Sequence, residues 1–247
     1  MSKDPFYQDL ASRSQQKQET FMQHIAQRLG RPKVTEAPAH PYQGAPDFWQ
    51  THELDLEERL TLLTDNWQQV GGHAQRCPDL STAQSYIVQT AQEMKAKHII
   101  RHQHPTLNDL GLEDALLDCD WTVWNGQEAE RGHLLSKAAG ADVGVVVADY
   151  AVATTGSVVL MSDPFKGRSV SLLPTALMIL IPASVVKTRL GEVMTDISQY
   201  HPETMPAGIH FISGPSRSAD IENDLTIGVH GPGVVHALVV EDISFDV

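Results

Sequence analysis

Cysteine is scarce in this chain, since only Cys77 and Cys119 occur among its 247 residues. The two are too far apart for a Cys-x-x-Cys motif and too few for a disulfide framework, which favours a reducing, cytoplasmic location. An iron–sulfur cluster usually takes four thiolates, or two thiolates and two histidines in the Rieske type. We therefore expect no iron–sulfur cluster within this chain, and its cofactor stays unknown.

Basic residues and long apolar runs are also scarce. The chain has 18 Lys and Arg against 31 Asp and Glu, a formal net charge of −13. Such a charge repels phosphate backbones and anionic membrane surfaces, so nucleic acid is not an expected partner. The longest apolar stretch, residues 172–186, is interrupted by Pro174 and Pro182, and the first 20 residues are polar. We therefore expect neither membrane insertion nor an export signal.

The N-terminal part of the sequence differs from the rest. Apolar residues at helical spacing, Phe21, Ile25 and Leu29, predict an amphipathic helix, which the following Gly-Arg-Pro segment ends. Four prolines between residues 32 and 46 exclude regular helix and central strand. We predict two regions, an N-terminal helical arm with a proline-rich strap over residues 1–47 and an α/β domain over residues 48–247.

Two helices are predicted before the first strand. The first follows from Leu56, Leu60, Leu63 and Trp67, which repeat at helical spacing, and the second begins at a capping box of residues 81–84. From about residue 97, short apolar segments alternate with helical patterns. The predicted strands are 98–101, 121–124, 143–147, 157–161, 178–181, 209–212 and 234–240, and the predicted helices are 112–117, 133–139 and 185–197.

The fold class follows from this alternation, which is typical of an α/β protein with a largely parallel sheet flanked by helices. The segments 143–147 and 178–181 are apolar without interruption, as expected for strands that are covered on both faces. In open sheets of this kind, ligands usually bind at the carboxyl ends of the strands. The loops that follow predicted strands are therefore the expected positions of ligand-binding residues.

Three loops carry the candidates. The first, residues 148–157, offers an acid, hydroxyls and a glycine, and the third, residues 227–233, holds a histidine among three glycines. His230 could act as an acid, a base or a ligand donor, or it could only cap carbonyl groups of its own turn. The candidates are Asp149, Thr155, Gly156, Ser157, Gly214, Ser216, Arg217, Ser218, Asp220, His230 and Gly231. None of them is assigned a catalytic role.

The second loop, residues 213–222, has the pattern of a turn from a strand into a helix. Pro215 fixes the turn, Ser218 is placed as the helix N-cap, and Arg217 beside the first helical amides suits a small anion such as phosphate or carboxylate. The alternative is an ordinary turn with a solvated arginine, in which Asp220 and Glu222 complement the helix N-terminus. His98, His102 and His104 suggest either a metal site or a hydrated strand end.

A resemblance is carried by five segments of the chain. These are Ala148-Asp149-Tyr150-Ala151, Thr155-Gly156-Ser157, Ser171-Leu172-Leu173-Pro174, the string from Gly214 to Glu222 and the string from Gly228 to Pro232. In order and spacing they resemble the LUD-domain family of the lactate utilization protein C type. Residues 40–49 are more loosely similar to the N-terminal part of that family. The resemblance implies a core like the NagB/RpiA sugar-phosphate isomerase and CoA-transferase superfold.

The resemblance also implies a function. Members of the family are non-iron–sulfur subunits required for the oxidation of L-lactate to pyruvate together with two iron–sulfur partner proteins. Where the family commonly has Glu before Thr-Gly, this sequence has Thr154, so a carboxylate that could serve as a nucleophile is missing. The alternative is a free-standing enzyme that acts on a CoA thioester or a sugar phosphate, and it rests on the fold analogy alone.

Overall fold

The computed structural model describes residues 5–36, 52–126, 131–201, 203–219 and 225–242. Residues 1–51 and residues 52–247 form two compact units. The predicted boundary after residue 47 lies outside the described residues, as do residues 40–49. In the first unit, helix α1 spans Pro5–Arg28. Just after its last residue, the φ of +62° at Gly30 lets the N–H of Arg31 donate to the Ala26 carbonyl oxygen at 3.1 Å, which confirms the predicted stop.

The second unit alternates helices and strands. Its helices are α2 (Leu56–Gln69), α3 (Leu80–Glu93), α4 (Pro105–Asp109), α5 (Leu112–Ala115), α6 (Arg131–Ala139), α7 (Ser169–Leu172) and α8 (Leu190–Ser198). Its strands are β1 (His73–Cys77), β2 (His98–His102), β3 (Asp120–Trp124), β4 (Val143–Val147), β5 (Tyr150–Val152), β6 (Ser157–Met161), β7 (Ala176–Pro182), β8 (Val186–Lys187), β9 (Ile209–Ile212), β10 (Arg217–Ala219), β11 (Leu225–Ile227) and β12 (Val234–Val240). All seven predicted strands are present.

Six parallel strands form the main sheet, in the order β1-β12-β7-β4-β2-β3. Strands β4 and β7 are buried at every position, because each face of the sheet carries its own apolar core. Leu60, Leu63 and Trp67 of α2 pack in one core, and Ala83 and Ile87 of α3 pack in the other. The predicted α/β fold with a parallel sheet is confirmed.

A second sheet of four strands, in the order β8-β5-β6-β9, was not predicted. Its strand β5 lies within the predicted loop 148–157, and its strand β8 lies within the predicted helix 185–197. That helix begins only at Leu190, because Val186 is buried in the sheet, where it pairs with Ala151. Helix α8 packs Val193 and Ile197 on this second sheet.

The prediction of two helices before the first strand is wrong. Strand β1 lies between α2 and α3 and pairs with β12 at the edge of the main sheet. Its residues alternate in exposure and are mostly polar, so no apolar pattern marks it. Helix α3 starts two residues earlier than predicted, since Asp79 is its N-cap and accepts the N–H of Thr82 at 2.7 Å. In the described part of the chain, no helix is long and apolar enough to cross a bilayer.

Candidate functional site

The candidate residues lie at two opposite edges of the main sheet. Asp149 lies two residues after the end of β4, at the carboxyl edge. The hairpin of β5 and β6 then runs back, so its tip lies against the last turn of α2, where the Asn66 side chain donates to the Ala153 carbonyl oxygen at 2.8 Å. Helix α2 leads directly into the start of β1. The hairpin tip, with Thr155, Gly156 and Ser157, is therefore at the amino edge.

A cavity of about 250 Å³ opens at the amino edge, beside the first residues of β7 and β12. We call it the amino-edge cavity. It is lined by Ser171, Leu172, Leu177, Phe211, Ile212, Ser213, Gly214, Pro215, Ser216, His230, Gly231, Pro232 and Val235. Three of the five segments that carry the family resemblance contribute to it. The predicted candidates Gly214, Ser216, His230 and Gly231 are therefore brought together.

Backbone hydrogen bonds fix the two loops that form the mouth of the cavity. The N–H of Ser216 donates to the Pro232 carbonyl oxygen at 2.9 Å, and the N–H of Gly228 donates to the Ser216 carbonyl oxygen at 2.9 Å. The N–H of Gly233 donates to the Thr175 carbonyl oxygen at 3.0 Å, which joins the loop to the start of β7. Ser216 thus links both loops through its own backbone, which fixes where its side chain begins.

Three hydroxyl groups form a row beside the cavity. The Oγ atoms of Ser157 and Ser213 are 2.7 Å apart, and the Oγ of Ser157 is 2.8 Å from the Oγ1 of Thr155. Ser157 is buried, whereas Ser213 and Thr155 are exposed. The first predicted loop therefore contributes to this edge through the contact of Ser157 with Ser213.

The floor of the cavity is apolar. Leu177 and Val235, each the second residue of a central strand, are almost completely buried. Among the described residues that line the cavity, none is Lys, Arg, Asp or Glu, and His230 is the one titratable group. The cavity therefore offers hydroxyl groups, one imidazole and an apolar floor.

The prediction that Ser218 is the N-cap of a helix is wrong. Arg217–Ala219 forms strand β10, and Ser218 pairs with Thr226 of β11 in an antiparallel hairpin. The Arg217 guanidinium donates to the Val70 carbonyl oxygen at the C-terminus of α2. Arg217 is thus a partner of α2 and does not line the amino-edge cavity. Asp220 and Glu222 lie outside the described residues.

An ion-pair cluster occupies the carboxyl edge. The Nζ of Lys166 is 2.6 Å from Oδ1 of Asp149 and 3.5 Å from Oδ2 of Asp163. Burial is the largest single influence on Lys166 and lowers its pKa, but the charges and hydrogen bonds of Asp149 and Asp163 together outweigh burial, so the pKa is raised. Oδ2 of Asp149 accepts the N–H of Met161 at 2.7 Å. Both carboxylate oxygens of Asp149 are therefore already engaged.

A covering loop, residues 163–168, closes this edge over the ends of β2 and β3. The indole N–H of Trp124 donates to the Pro164 carbonyl oxygen at 3.1 Å, and the N–H of Gln103 donates to the Phe165 carbonyl oxygen at 3.2 Å. Nε2 of His102 lies 3.2 Å from the Gly167 carbonyl oxygen, so this nitrogen carries the proton. Burial lowers the pKa of His102 to about 4, which keeps the ring neutral at pH 7.

Sequence reasoning did not identify Lys166. Asp163 begins a tight turn in which its Oδ1 accepts the N–H groups of Phe165 and Lys166, at 2.7 and 2.8 Å. The Asp-Pro pair at the start of this segment is a turn signal in the sequence. It does not show which acid the lysine reaches, because Asp149 is brought to it only by the pairing of β5 with β6.

The three histidines around β2 have separate environments. Nδ1 of His98 lies 3.2 Å from Oδ2 of Asp120 at the surface, and Nδ1 of His104 accepts the N–H of Thr106 at the start of α4. His102 is buried beneath the covering loop. Within residues 5–36, 52–126, 131–201, 203–219 and 225–242, no three His, Cys, Asp or Glu side chains are arranged to hold a metal ion.

The two cysteines lie on opposite edge strands. Cys77 is the last residue of β1 and Cys119 precedes β3, while β1 and β3 are the outermost strands of the six. Strands in a sheet are spaced about 4.8 Å apart, so the five spacings between them amount to roughly 24 Å. The two thiols therefore cannot ligate one cluster within a single chain.

Known proteins with a similar sequence or fold agree with the family resemblance that the five segments carry. The sequence pattern of the LUD domain matches residues 60–240. "Lactate utilization protein C" of Halalkalibacterium halodurans is 36% identical over 92% of this chain and 99% of its own length. The protein of the same name in Shouchella clausii is 35% identical over 91% of this chain and 97% of its own length. The crystal structure of a DUF162 family protein from Deinococcus radiodurans has a TM-score of 0.55 at 16% identity, over 76% of this chain and 99% of that one, which shows a shared fold.

Proposed function

Because the chain belongs to the LUD domain family, we propose that it serves L-lactate utilisation as a subunit without an iron–sulfur cluster of its own. It works with two iron–sulfur partner proteins in the oxidation of L-lactate to pyruvate. The observation that carries this proposal is similarity at 35–36% identity, over more than nine-tenths of the chain, to relatives named for lactate utilisation.

The placement of the cysteines supports the division of labour between subunits. Cys77 is buried, and burial raises the pKa of its thiol to about 11. The thiol of Cys119 donates to the Ala96 carbonyl oxygen at 3.3 Å. Since these two thiols lie at the two outermost strands of the main sheet, β1 and β3, an iron–sulfur cluster for electron transfer requires ligands from other chains.

The alternative, a free-standing enzyme for a CoA thioester or a sugar phosphate, is less well supported. Sites for phosphorylated ligands usually carry Lys or Arg, and the described lining of the amino-edge cavity has neither. Its volume of about 250 Å³ is also below the 300–1,000 Å³ typical of pockets for drug-sized ligands. Thr154 replaces the family's usual Glu, and its N–H donates to the Thr188 carbonyl oxygen at 3.1 Å.

A deletion strain tests the proposed function. We expect cells without this gene to fail on L-lactate as sole carbon source and to grow normally on pyruvate, with growth restored by a plasmid copy. The pyruvate culture is the control for general fitness. Normal growth on L-lactate, in a strain without any other lactate dehydrogenase, would overturn the proposal.

Affinity purification tests the proposed partners. We expect the tagged chain, isolated from lactate-grown cells, to bring two iron–sulfur proteins with it, while the chain produced alone is colourless and free of iron. A chain that carries stoichiometric iron and sulfide without partners would contradict the assignment of the clusters to other subunits.

A further inference from the structure

We propose that the amino-edge cavity binds a small monocarboxylate, with the Ser216 hydroxyl and His230 around the carboxylate and the apolar floor against the carbon chain. The identity of the physiological ligand, L-lactate or pyruvate, rests on the proposed function. The location and the ligand class rest on the geometry of the cavity.

The first support is the way in which the cavity is kept open. The mouth loops are held by backbone hydrogen bonds through Ser216, so they do not depend on a ligand to be ordered. A Cβ on Gly231 would lie 3.2 Å from the Cβ of Ser216 and 3.5 Å from its Oγ. The φ of Gly231 is not in the left-handed region, so the backbone does not require glycine there. The missing side chain leaves the Ser216 hydroxyl accessible from the cavity.

The second support is the set of donors at the mouth. The Ser157 hydroxyl donates to the Oγ1 of Thr155, so it accepts the hydrogen of Ser213 in their own contact at 2.7 Å. The hydrogen of Ser213 is therefore engaged within the row, and Ser216 and His230 are the side chains that offer donors to an anion at the mouth.

The third support is the balance of charge and apolar surface, which selects the ligand class. A carboxylate with a single charge can be satisfied by hydroxyl and imidazole donors, whereas phosphate, with about two charges near neutral pH, favours Arg or Lys. No Arg or Lys is found in the described lining. Leu177 and Val235 form an apolar floor that suits a methyl or methylene group. A short monocarboxylate fits both features.

Calorimetry with the full chain tests this site, with L-lactate, pyruvate and inorganic phosphate as probes. We expect at least one of the two acids to bind, and more tightly than phosphate. Ser216→Ala and His230→Ala should each weaken binding about tenfold or more, the effect of one lost hydrogen bond to a charged group. Gly231→Ala, which places a methyl group against Ser216, should weaken binding at least as much.

Matched controls separate the cavity from general effects of the substitutions. Ser85→Ala removes a hydroxyl on the exposed face of α3, and Gly191→Ala adds a methyl group in open space on α8. Both should bind like the unaltered chain. Because His230 is exposed, we expect His230→Ala to keep the fold. Its affinity for the two acids therefore tests the cavity proposal even if a variant of Ser216 or Gly231 does not fold.

Three outcomes would overturn the proposal: no binding of either acid, unchanged affinity in His230→Ala and Ser216→Ala, or tighter binding of phosphate. The deletion strain distinguishes a failure here from a failure of the proposed function. If the double variant Ser216→Ala/His230→Ala fully restores growth on L-lactate, the function stands and the cavity proposal falls. If the deletion strain itself grows on L-lactate, the function falls, while the calorimetric result still decides the cavity.

Discussion

The two edges of the main sheet differ in charge and in access. At the carboxyl edge, Lys166, Asp149 and Asp163 form a charged cluster, and the covering loop closes over it. At the amino edge, the mouth loops surround an open cavity in which His230 is the one titratable group among the described lining residues. The edge with more ionisable groups is thus the closed one, and the edge with fewer is open to a ligand.

This difference shows that a group of charged residues is not sufficient to identify a ligand site. At the carboxyl edge, every charge has a partner within the cluster, so the charges stabilise the covering loop. At the amino edge, glycines and short hydroxyl side chains leave space. Ligands of open α/β sheets usually bind at the carboxyl ends of the strands, and here the hairpin of β5 and β6 carries candidate residues to the other end.

The largest expected effect comes from breaking the ion pair at the closed edge. Lys166→Met leaves Asp149 largely buried without its counter-charge, and we expect a loss of about 3–5 kcal/mol in the free energy of unfolding. The side chains of Lys166 and Asp149 are 17% and 15% exposed. Urea denaturation measures the loss. Lys137→Met, which breaks a surface pair with Asp120, is the control and should cost at most about 1 kcal/mol. Equal losses in both variants would show that the pair does not hold this edge closed.

The second expected effect is a pH dependence of stability, to which two buried histidines contribute, His102 at the closed edge and His236 in β12, since burial lowers the pKa of each to about 4. Burial lowers the pKa of His102 to about 4, so between pH 6.5 and 4 the unfolded chain binds this proton more readily than the folded chain. Stability therefore falls as the pH drops through this window, by roughly 3 kcal/mol for this residue. Unfolding in urea at pH 7 and pH 4.5 measures the fall.

Two variants isolate the contribution of His102 to that fall. His102→Gln removes the titrating ring and can keep a donor to the Gly167 carbonyl oxygen, so it should show a smaller fall in stability. His230→Gln changes the exposed histidine of the open edge and should leave the fall unchanged. A fall of the same size in all three proteins would mean that His102 is not the group responsible.

The third expected effect compares one glycine from each edge. A Cβ on Gly167 would lie 2.1 Å from the Trp124 indole, so Gly167→Ala should cost about 1–3 kcal/mol by overpacking. Gly231→Ala meets only a tight contact with Ser216 and should cost less than about 1 kcal/mol while it weakens ligand binding. Thermal unfolding and calorimetry on both variants check this. A Gly231→Ala protein that loses more stability than Gly167→Ala would reverse the comparison.

The smallest expected effect concerns Arg217. Its hydrogen bond to the Val70 carbonyl oxygen is exposed, so Arg217→Ala should lower the free energy of unfolding by about 0.5–1.5 kcal/mol. Because Arg217 does not line the cavity, the affinity for a carboxylate should stay within about twofold. A tenfold loss of affinity with unchanged stability would instead restore Arg217 as a ligand-binding residue.

The helices and strands that can be predicted from the sequence are those whose structure is determined by their own residues. Strands β4 and β7 are recognisable because both of their faces are buried and their apolar runs are continuous. Helix α2 is recognisable because Leu60, Leu63 and Trp67 must all face one core. By contrast, β1 is a mostly polar strand at the side of the sheet, and its extended structure depends on hydrogen bonding to β12.

The candidate site is predicted in composition but not in position. Ser216, His230 and Gly231 converge as a loop-based argument expects, yet they converge at the amino edge. The Gly-Pro-Ser-Arg-Ser string has the local pattern of a helix start, but its last two residues belong to strand β10, which pairs with β11 in a hairpin. Contacts between separate elements are not recorded in local residue preferences, so neither the contact of Arg217 with Val70 nor the ion pair of Lys166 could be deduced from the chain alone.

The most direct test of the central claim is a map of ligand-induced amide shifts. We propose recording ¹⁵N–¹H spectra of the labelled full chain during titration with L-lactate and with pyruvate. The account predicts shifts at Ser213, Gly214, Ser216 and residues 228–231, with Asp149 and the covering loop unchanged. Shifts confined to Asp149 and the covering loop would contradict it, because they would place the ligand at the carboxyl edge.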